Sequence, residues 1–285
     1  MPKADTLVIE NDPATIRRTV LAARAAGRRV GFVPTMGALH AGHVSLVKAA
    51  ADCDDVVVSI FVNPTQFGPG EDFDRYPRSL EADCRLLAEA GVRWVFAPPV
   101  AALYPPGDAT RVVVDGPSRR WEGEHRPGHF PGVATVVCKL FSMVPADAAF
   151  FGGKDWQQTV VVRRMVRDLA IPVDVVVCPT VREPDGLALS SRNVYLGSDE
   201  RLRAVALSEG LAAARSCWQQ GGTAAEATAA LAAPLAREVI DVDYAVVVDP
   251  DSLEPHPGDA RGLPAIALVA GRVGPTRLID NMLLS

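Results

Sequence analysis

The sequence predicts an α/β fold in which a parallel sheet flanked by helices is followed by a smaller α+β domain. Two observations carry this. Up to about residue 180, short continuous apolar runs at 29–33, 56–62, 92–97, 148–151 and 173–177 alternate with helix-spaced stretches, the pattern of a sheet buried on both faces. Beyond that point, runs at 243–249, 265–270 and 273–280 follow one another without a helix between them. Strands alternating with helices require right-handed parallel crossovers, so 1–180 reads as a Rossmann-like domain and 181–285 as a small α+β domain.

The elements follow in order. Asp12-Pro13 is an N-cap followed by proline, opening a helix that ends at Gly27. Helical spacing from Ala41 and over 80–90, the latter stopping at Gly91, supplies two more. Residues 111–114 read as a further strand. The polar, glycine-bearing stretch 119–132 reads as irregular, either a lid over a charged ligand or a plain surface loop, with a helix over 133–144 behind it. In the second part, Ser198 caps one long helix running to Gly221-Gly222, and Thr223 starts another that ends near Glu238.

Composition narrows the function. The apolar share of 48% and charged share of 22% describe an ordinary globular chain. A formal charge of −5 gives no global attraction to nucleic acid or to an anionic membrane, so a bound anion must be held locally. The five cysteines are odd in number and widely spaced, without zinc or disulfide spacing, which suits a reducing compartment. No basic leader and no apolar run of about 18 residues is present, so the expected location is cytoplasmic, with no membrane partner.

Three stretches carry chemistry. Met36-Gly37-Ala38-Leu39-His40-Ala41-Gly42-His43 joins a strand to a helix start, where unpaired N–H groups and the positive dipole end favour an anion, and its two imidazoles can donate to one polyphosphate. Gly152-Gly153-Lys154-Asp155 is a second glycine-bearing strand-to-helix joint; Lys154 offers a point charge to phosphate and Asp155 an acceptor to ribose hydroxyls. Ser190-Ser191-Arg192 groups two hydroxyls and a guanidinium in a loop between the halves, a phosphate clamp. A Ser-His-Asp set, a Cys-His pair, paired carboxylates, the P-loop spacing and a dinucleotide fingerprint are all missing as clear signals. What remains is attack on the α-phosphate of a nucleotide, by a ligase or a nucleotidyl transferase, with a nucleotide-binding regulatory module as the non-enzymatic alternative.

The His40-Ala41-Gly42-His43 and Leu189-Ser190-Ser191-Arg192 stretches resemble the HIGH-type and KMSKS-type motifs of the nucleotidyltransferase and class I aminoacyl-tRNA synthetase superfamily. More narrowly, 34–40, 61–67, 151–155, Gln157-Gln158, 189–193 and the tail 278–281 resemble the pantoate–β-alanine ligase (pantothenate synthetase) family. The resemblance implies an ATP-dependent, amide-forming condensation of pantoate with β-alanine through a pantoyl adenylate. It implies ATP contacts from Met36 to His43 and from Gly152, Gly153, Lys154, Asp155, Val181, Leu189, Ser190, Ser191 and Arg192, with Val181 at the adenine. It further implies catalytic roles for His40, His43 (the proton donor) and Lys154. Gln66 and Gln158 bind pantoate, and Gln66 borders β-alanine. Magnesium is expected mainly on the ATP phosphates, with no protein ligand, since Ala82 stands where some relatives carry a second acid beside Asp83. A homodimer is also expected.

Overall fold

The structure, a computed structural model, describes residues 7–258 and 262–284; residues 1–6, the start of the stretch searched for a leader, lie outside it. A six-stranded parallel sheet is built from β1 (Val8–Glu10), β2 (Val30–Thr35), β3 (Asp55–Ile60), β4 (Trp94–Phe96), β5 (Ala148–Gly152) and β6 (Asp174–Cys178), in the order β1-β4-β3-β2-β5-β6. The helices along this part of the chain are α1 (Pro13–Ala25), α2 (Ala41–Ala49), α3 (Leu80–Glu89), the one-turn α4 (Val100–Leu103), α6 (His129–Met143) and α7 (Trp156–Asp168), with the one-turn α5 (Glu122–His125) belonging to the second unit described below. Successive strand residues face opposite sides. Phe32, Val57, Ala149 and Phe151 pack with Ile16 and Val20 of α1, Phe130 to Phe141 of α6 and Val161, Val162 and Met165 of α7. Val33, Val58, Ala148 and Phe150 pack with Leu46 and Val47 of α2 and Leu87 of α3. Burial of both faces is why these strands read as unbroken apolar runs.

The second sheet is antiparallel, β7 (Asp241–Val248), β8 (Ile266–Val273) and β9 (Thr276–Leu283) in that order. It shares a core with α8 (Ser198–Ala204), α9 (Ala206–Gln219) and α10 (Ala224–Arg237) through Leu207, Leu211, Leu231, Leu235, Ala267 and Val269. The compact units are interleaved along the chain. One comprises the described residues through Asp115, Arg126–Gly153 and Val161–Pro179; the other comprises Gly116–His125, Lys154–Val160 and the residues from Thr180 on. Segments 116–125 and 154–160, which precede residue 181, are held within the second unit by Trp121 Nε1 donating to the Leu253 carbonyl and Trp156 Nε1 to that of Pro250, 2.9 Å each.

Several expected elements are corrected. Residues 111–114 lie outside both sheets: the Val112 N–H donates to the Thr135 hydroxyl at 2.9 Å instead of to a strand. The 119–132 stretch is not one irregular loop. It contains α5, and α6 starts four residues early because Gly128 turns the chain at φ +86° and Pro131 sits in the first turn, where no N–H is required. The single long helix is two, α8 and α9, broken at Val205, whose carbonyl accepts the Ser208 hydroxyl at 2.8 Å. Its cap is Gly197, not Ser198, with the Gly197 N–H donating to Glu200 at 2.9 Å.

At the end of α10, Val239 adopts φ +51° and is 79% exposed. A β-branched side chain there opposes a left-handed backbone while burying little. Val239→Gly is expected to raise the stability of this unit by about 1 kcal/mol, read as a higher urea midpoint. An unchanged or lower midpoint would contradict the strain argument.

Candidate active site

β2 and β5 are neighbours, but the helix after β2 covers one face of the sheet and the core residues of the helix after β5 cover the other. In an open α/β sheet, the carboxyl ends of strands at such a reversal are the usual ligand position. The residues leaving β2 are Met36 to Leu39, and those leaving β5 are Gly152 and Gly153. Both are stretches that the sequence marks.

Asp83, on α3, shapes the first of them. Its two carboxylate oxygens accept the N–H groups of Ala38 (3.0 Å) and Leu39 (2.8 Å), and the residue is 4% exposed. Burial pushes its carboxyl above the ordinary aspartate range, against the pull of those two N–H groups. Gly37 is required for two reasons at once: its φ is +82°, and a Cβ there would lie 2.9 Å from Asp83 Oδ2. At Gly152 a Cβ would meet nothing within 4 Å, so space beside that backbone is open.

His40 caps α2. Its Nδ1 accepts the Gly42 N–H at 3.1 Å, while the His43 Nδ1 accepts the His40 N–H at 3.3 Å, a capping box made by two imidazoles. The rings lie 4.3 Å apart at 51°. An Nδ1 that accepts a backbone N–H carries no proton, so these partners assign both neutral rings the Nε2–H tautomer. Each neutral ring thereby carries its proton on Nε2.

Gln66 ends a 3-10 turn, Pro64–Gln66, that follows β3. Asn63 builds the turn. Its Oδ1 accepts the Thr65 hydroxyl (2.9 Å) and the Tyr104 hydroxyl (2.8 Å), and its Nδ2 donates to Gln66 Oε1 (3.1 Å) and the Gly132 carbonyl (3.2 Å). Gln66 Nε2 lies 2.9 Å from Met36 Sδ, so those two predicted residues meet. The Gln66 carbonyl accepts His129 Nδ1 at 2.9 Å. Arg126, within the stretch read as a lid, forks onto Glu71 at 2.8 and 2.7 Å. Burial raises the Glu71 carboxyl, but the hydrogen bonds and charge of Arg126 outweigh it and hold the group below its ordinary range.

The second unit holds Lys154, Asp155, Gln158, Val181, Leu189, Ser190, Ser191 and Arg192. Lys154 Nζ stands 3.9 Å from Asp155 Oδ1, and the Lys154 carbonyl accepts Asn281 Nδ2 at 2.7 Å. Gln157, 5% exposed, is a staple for 117–122: it donates to the carbonyls of Pro117 and Arg120 and accepts the Glu122 N–H, at 2.8 to 3.1 Å. Its neighbour Gln158 is partly buried. Residues 181–189 form a small hairpin in which Leu189 N donates to the Val181 carbonyl at 2.9 Å and Arg182 pairs with Ala188. The 3-10 turn Ser191–Tyr195 follows, capped by Ser190 Oγ accepting the Arg192 N–H at 3.2 Å.

Sequence reasoning passes over four contributors. Asn63, His129 and Asn281 stand in stretches that the sequence marks, but nothing local identifies them as partners of Gln66 or Lys154. Asp83 reads in sequence only as a metal-side acid, and its oxygens are taken by loop N–H groups.

A family model described as pantoate-beta-alanine ligase matches residues 8–283. A pantothenate synthetase of Rhizorhabdus wittichii is 53% identical over 270 residues, covering 94% of this chain and 95% of that protein. The crystal structure of a pantothenate synthetase from Thermus thermophilus superposes with a TM-score of 0.90 at 52% identity, covering 98% of this chain and 99% of that one. A pantoate-beta-alanine ligase from Francisella tularensis, complexed with beta-gamma ATP and beta-alanine, gives 0.79 at 32% identity, covering 98% of each. On this agreement across nearly its whole length, the chain belongs to the pantoate–β-alanine ligase family.

Proposed function

We propose that this chain condenses pantoate with β-alanine at the expense of ATP, through a pantoyl adenylate, releasing pyrophosphate and AMP. The pantoate carboxylate attacks the α-phosphate and pyrophosphate leaves. The β-alanine amine then attacks the acyl carbon and AMP leaves. The observation that supports this reading best is the paired capping of α2 by His40 and His43, which seats two imidazoles, each with its proton on Nε2, at a helix N-terminus where an anion is favoured.

On this reading Met36 to His43 and Gly152, Gly153 and Asp155 bind ATP, with His43 as proton donor to the phosphates. Lys154 stabilises charge on the departing pyrophosphate, and Leu189, Ser190, Ser191 and Arg192 hold the triphosphate, with Val181 at the adenine. Gln66 and Gln158 present amides to pantoate, and Gln66 borders β-alanine. Magnesium comes with the nucleotide, because the Asp83 oxygens are already committed to Ala38 and Leu39 and Ala82 brings no donor. The protein works as a homodimer in the cytoplasm, in keeping with five free cysteines.

The test is the product set. With ATP and pantoate alone, pyrophosphate release should stop near one turnover; adding β-alanine should restart it with stoichiometric AMP. Release of pyrophosphate without AMP under full substrate would point to a nucleotidyl transferase, and binding without turnover to a regulatory module.

A further inference from the structure

β9 carries a buried carboxylate. Asp280 pairs across the ladder with Val269, is 3% exposed, and receives the fork of Arg182: NH1 to Oδ2 at 2.6 Å and NH2 to Oδ1 at 3.0 Å. The same guanidinium donates onward to the Gly186 carbonyl and to the Asn281 carbonyl, 3.0 Å each. It therefore ties the turn of the 181–189 hairpin to the end of β9, and Ser190 to Arg192 leave from that hairpin. Asn281 donates its N–H to Asp280 Oδ1 at 2.7 Å and its side-chain amide to the Lys154 carbonyl at 2.7 Å. Two adjacent residues of one strand thus hold both the turn bearing Lys154 and the hairpin bearing the serine-arginine loop.

We propose that Asp280 and Asn281 are positioning residues that set the Lys154 turn and the Ser190–Arg192 loop in a fixed relation, so that these cations meet one triphosphate together. This rests on the ATP-dependent reading above. The fork geometry explains why an arginine is used: a lysine cannot bond both carboxylate oxygens and two carbonyls at once. The Lys154 charge also reaches Asp280 and draws its carboxyl down, although burial, the larger influence, leaves the group above the ordinary aspartate range. A pair kept only for stability is often replaced by apolar residues without loss. A pair that aligns two loops is not replaceable in that way.

The experiment uses the full chain and follows pantoate-dependent ATP–pyrophosphate exchange, overall turnover and the urea midpoint. Asp280→Asn should slow exchange by about a hundredfold, as expected when a reacting group is displaced by about 1 Å, with the KM for β-alanine held within about twofold. Arg192→Ala should then cost far less in the Asp280→Asn background than in the wild type, because its loop is already misplaced. A folded Asp280→Asn protein exchanging within about threefold of wild type, or losses that simply multiply, would overturn the proposal. If Asp280→Asn does not fold, Arg182→Gln with Asp280→Asn removes both charges together and is judged by the same criteria. A wild-type chain that exchanges no pyrophosphate would instead sink the ATP-dependent reading, and this inference with it.

Discussion

Lys154→Ala is expected to slow adenylation by about 10²–10³-fold, on the order of 3 kcal/mol, with little change in the unfolding midpoint. The side chain is 18% exposed, and its nearest carboxylate oxygen, Asp155 Oδ1 at 3.9 Å, is on a side chain that is itself 48% exposed, so little folding energy rides on the pair. The turn survives the substitution, because Asn281 grips the Lys154 carbonyl rather than the amine. On the proposed reading, what disappears is the charge that would stabilise the departing pyrophosphate. Stabilisation that grows in the transition state lowers kcat when lost, more than it raises KM. Single-turnover formation of pantoyl adenylate measures it, and a rate equal to wild type would remove Lys154 from the mechanism. Lys154→Arg should recover part of the rate, since it restores the charge without the compact ammonium.

Gly132→Ala should damage stability and pantoate binding together. A Cβ at Gly132 would stand 2.3 Å from the Thr65 carbonyl oxygen and 2.8 Å from the Gln66 Cα, both backbone, so neither can swing aside. Forced overpacking of this kind costs about 1–3 kcal/mol, against which alanine's better helix propensity returns about 1. The strain falls on the 3-10 turn that carries Gln66, and the Asn63 bond to the Gly132 carbonyl, 3.2 Å, is pulled with it. The expected outcome is a lower melting temperature and a KM for pantoate raised by about tenfold, the cost of one displaced hydrogen bond. Gly258→Ala, where a Cβ would meet nothing within 4 Å, serves as the neutral control. Equal behaviour of the two variants would show that α6 yields without moving Gln66.

The strands of the parallel sheet were legible because both faces are buried, so periodicity was not needed to find them. β1 was not, since three residues at a sheet edge carry no pattern. The expected strand at 111–114 shows how a short apolar run misleads. Val113 is 62% exposed while Val114 is buried, as a strand would be, yet what places Val112 is a hydroxyl on α6. In the site, the glycine-bearing loop was readable, but the reason for Gly37 was not, because the carboxylate that crowds it is 46 residues away in the chain. The expectation of an irregular 119–132 stretch failed on the same ground. Arg126 and Glu122 look like solvated charges in sequence, and their partners, Glu71 and Arg277, are 55 and 155 residues distant.

That last separation bears on how the protein emerges from the ribosome. Glu122 is 5% exposed, and Arg277 bonds both its oxygens, at 2.9 and 2.5 Å, while also bonding Asp243 at 2.6 Å. At ordinary rates of synthesis the acid is translated about 8–30 s before the guanidinium that neutralises it. In that interval the parallel sheet, complete in sequence at Cys178, can assemble first, and the 116–125 segment is expected to dock last, once Arg277 is available.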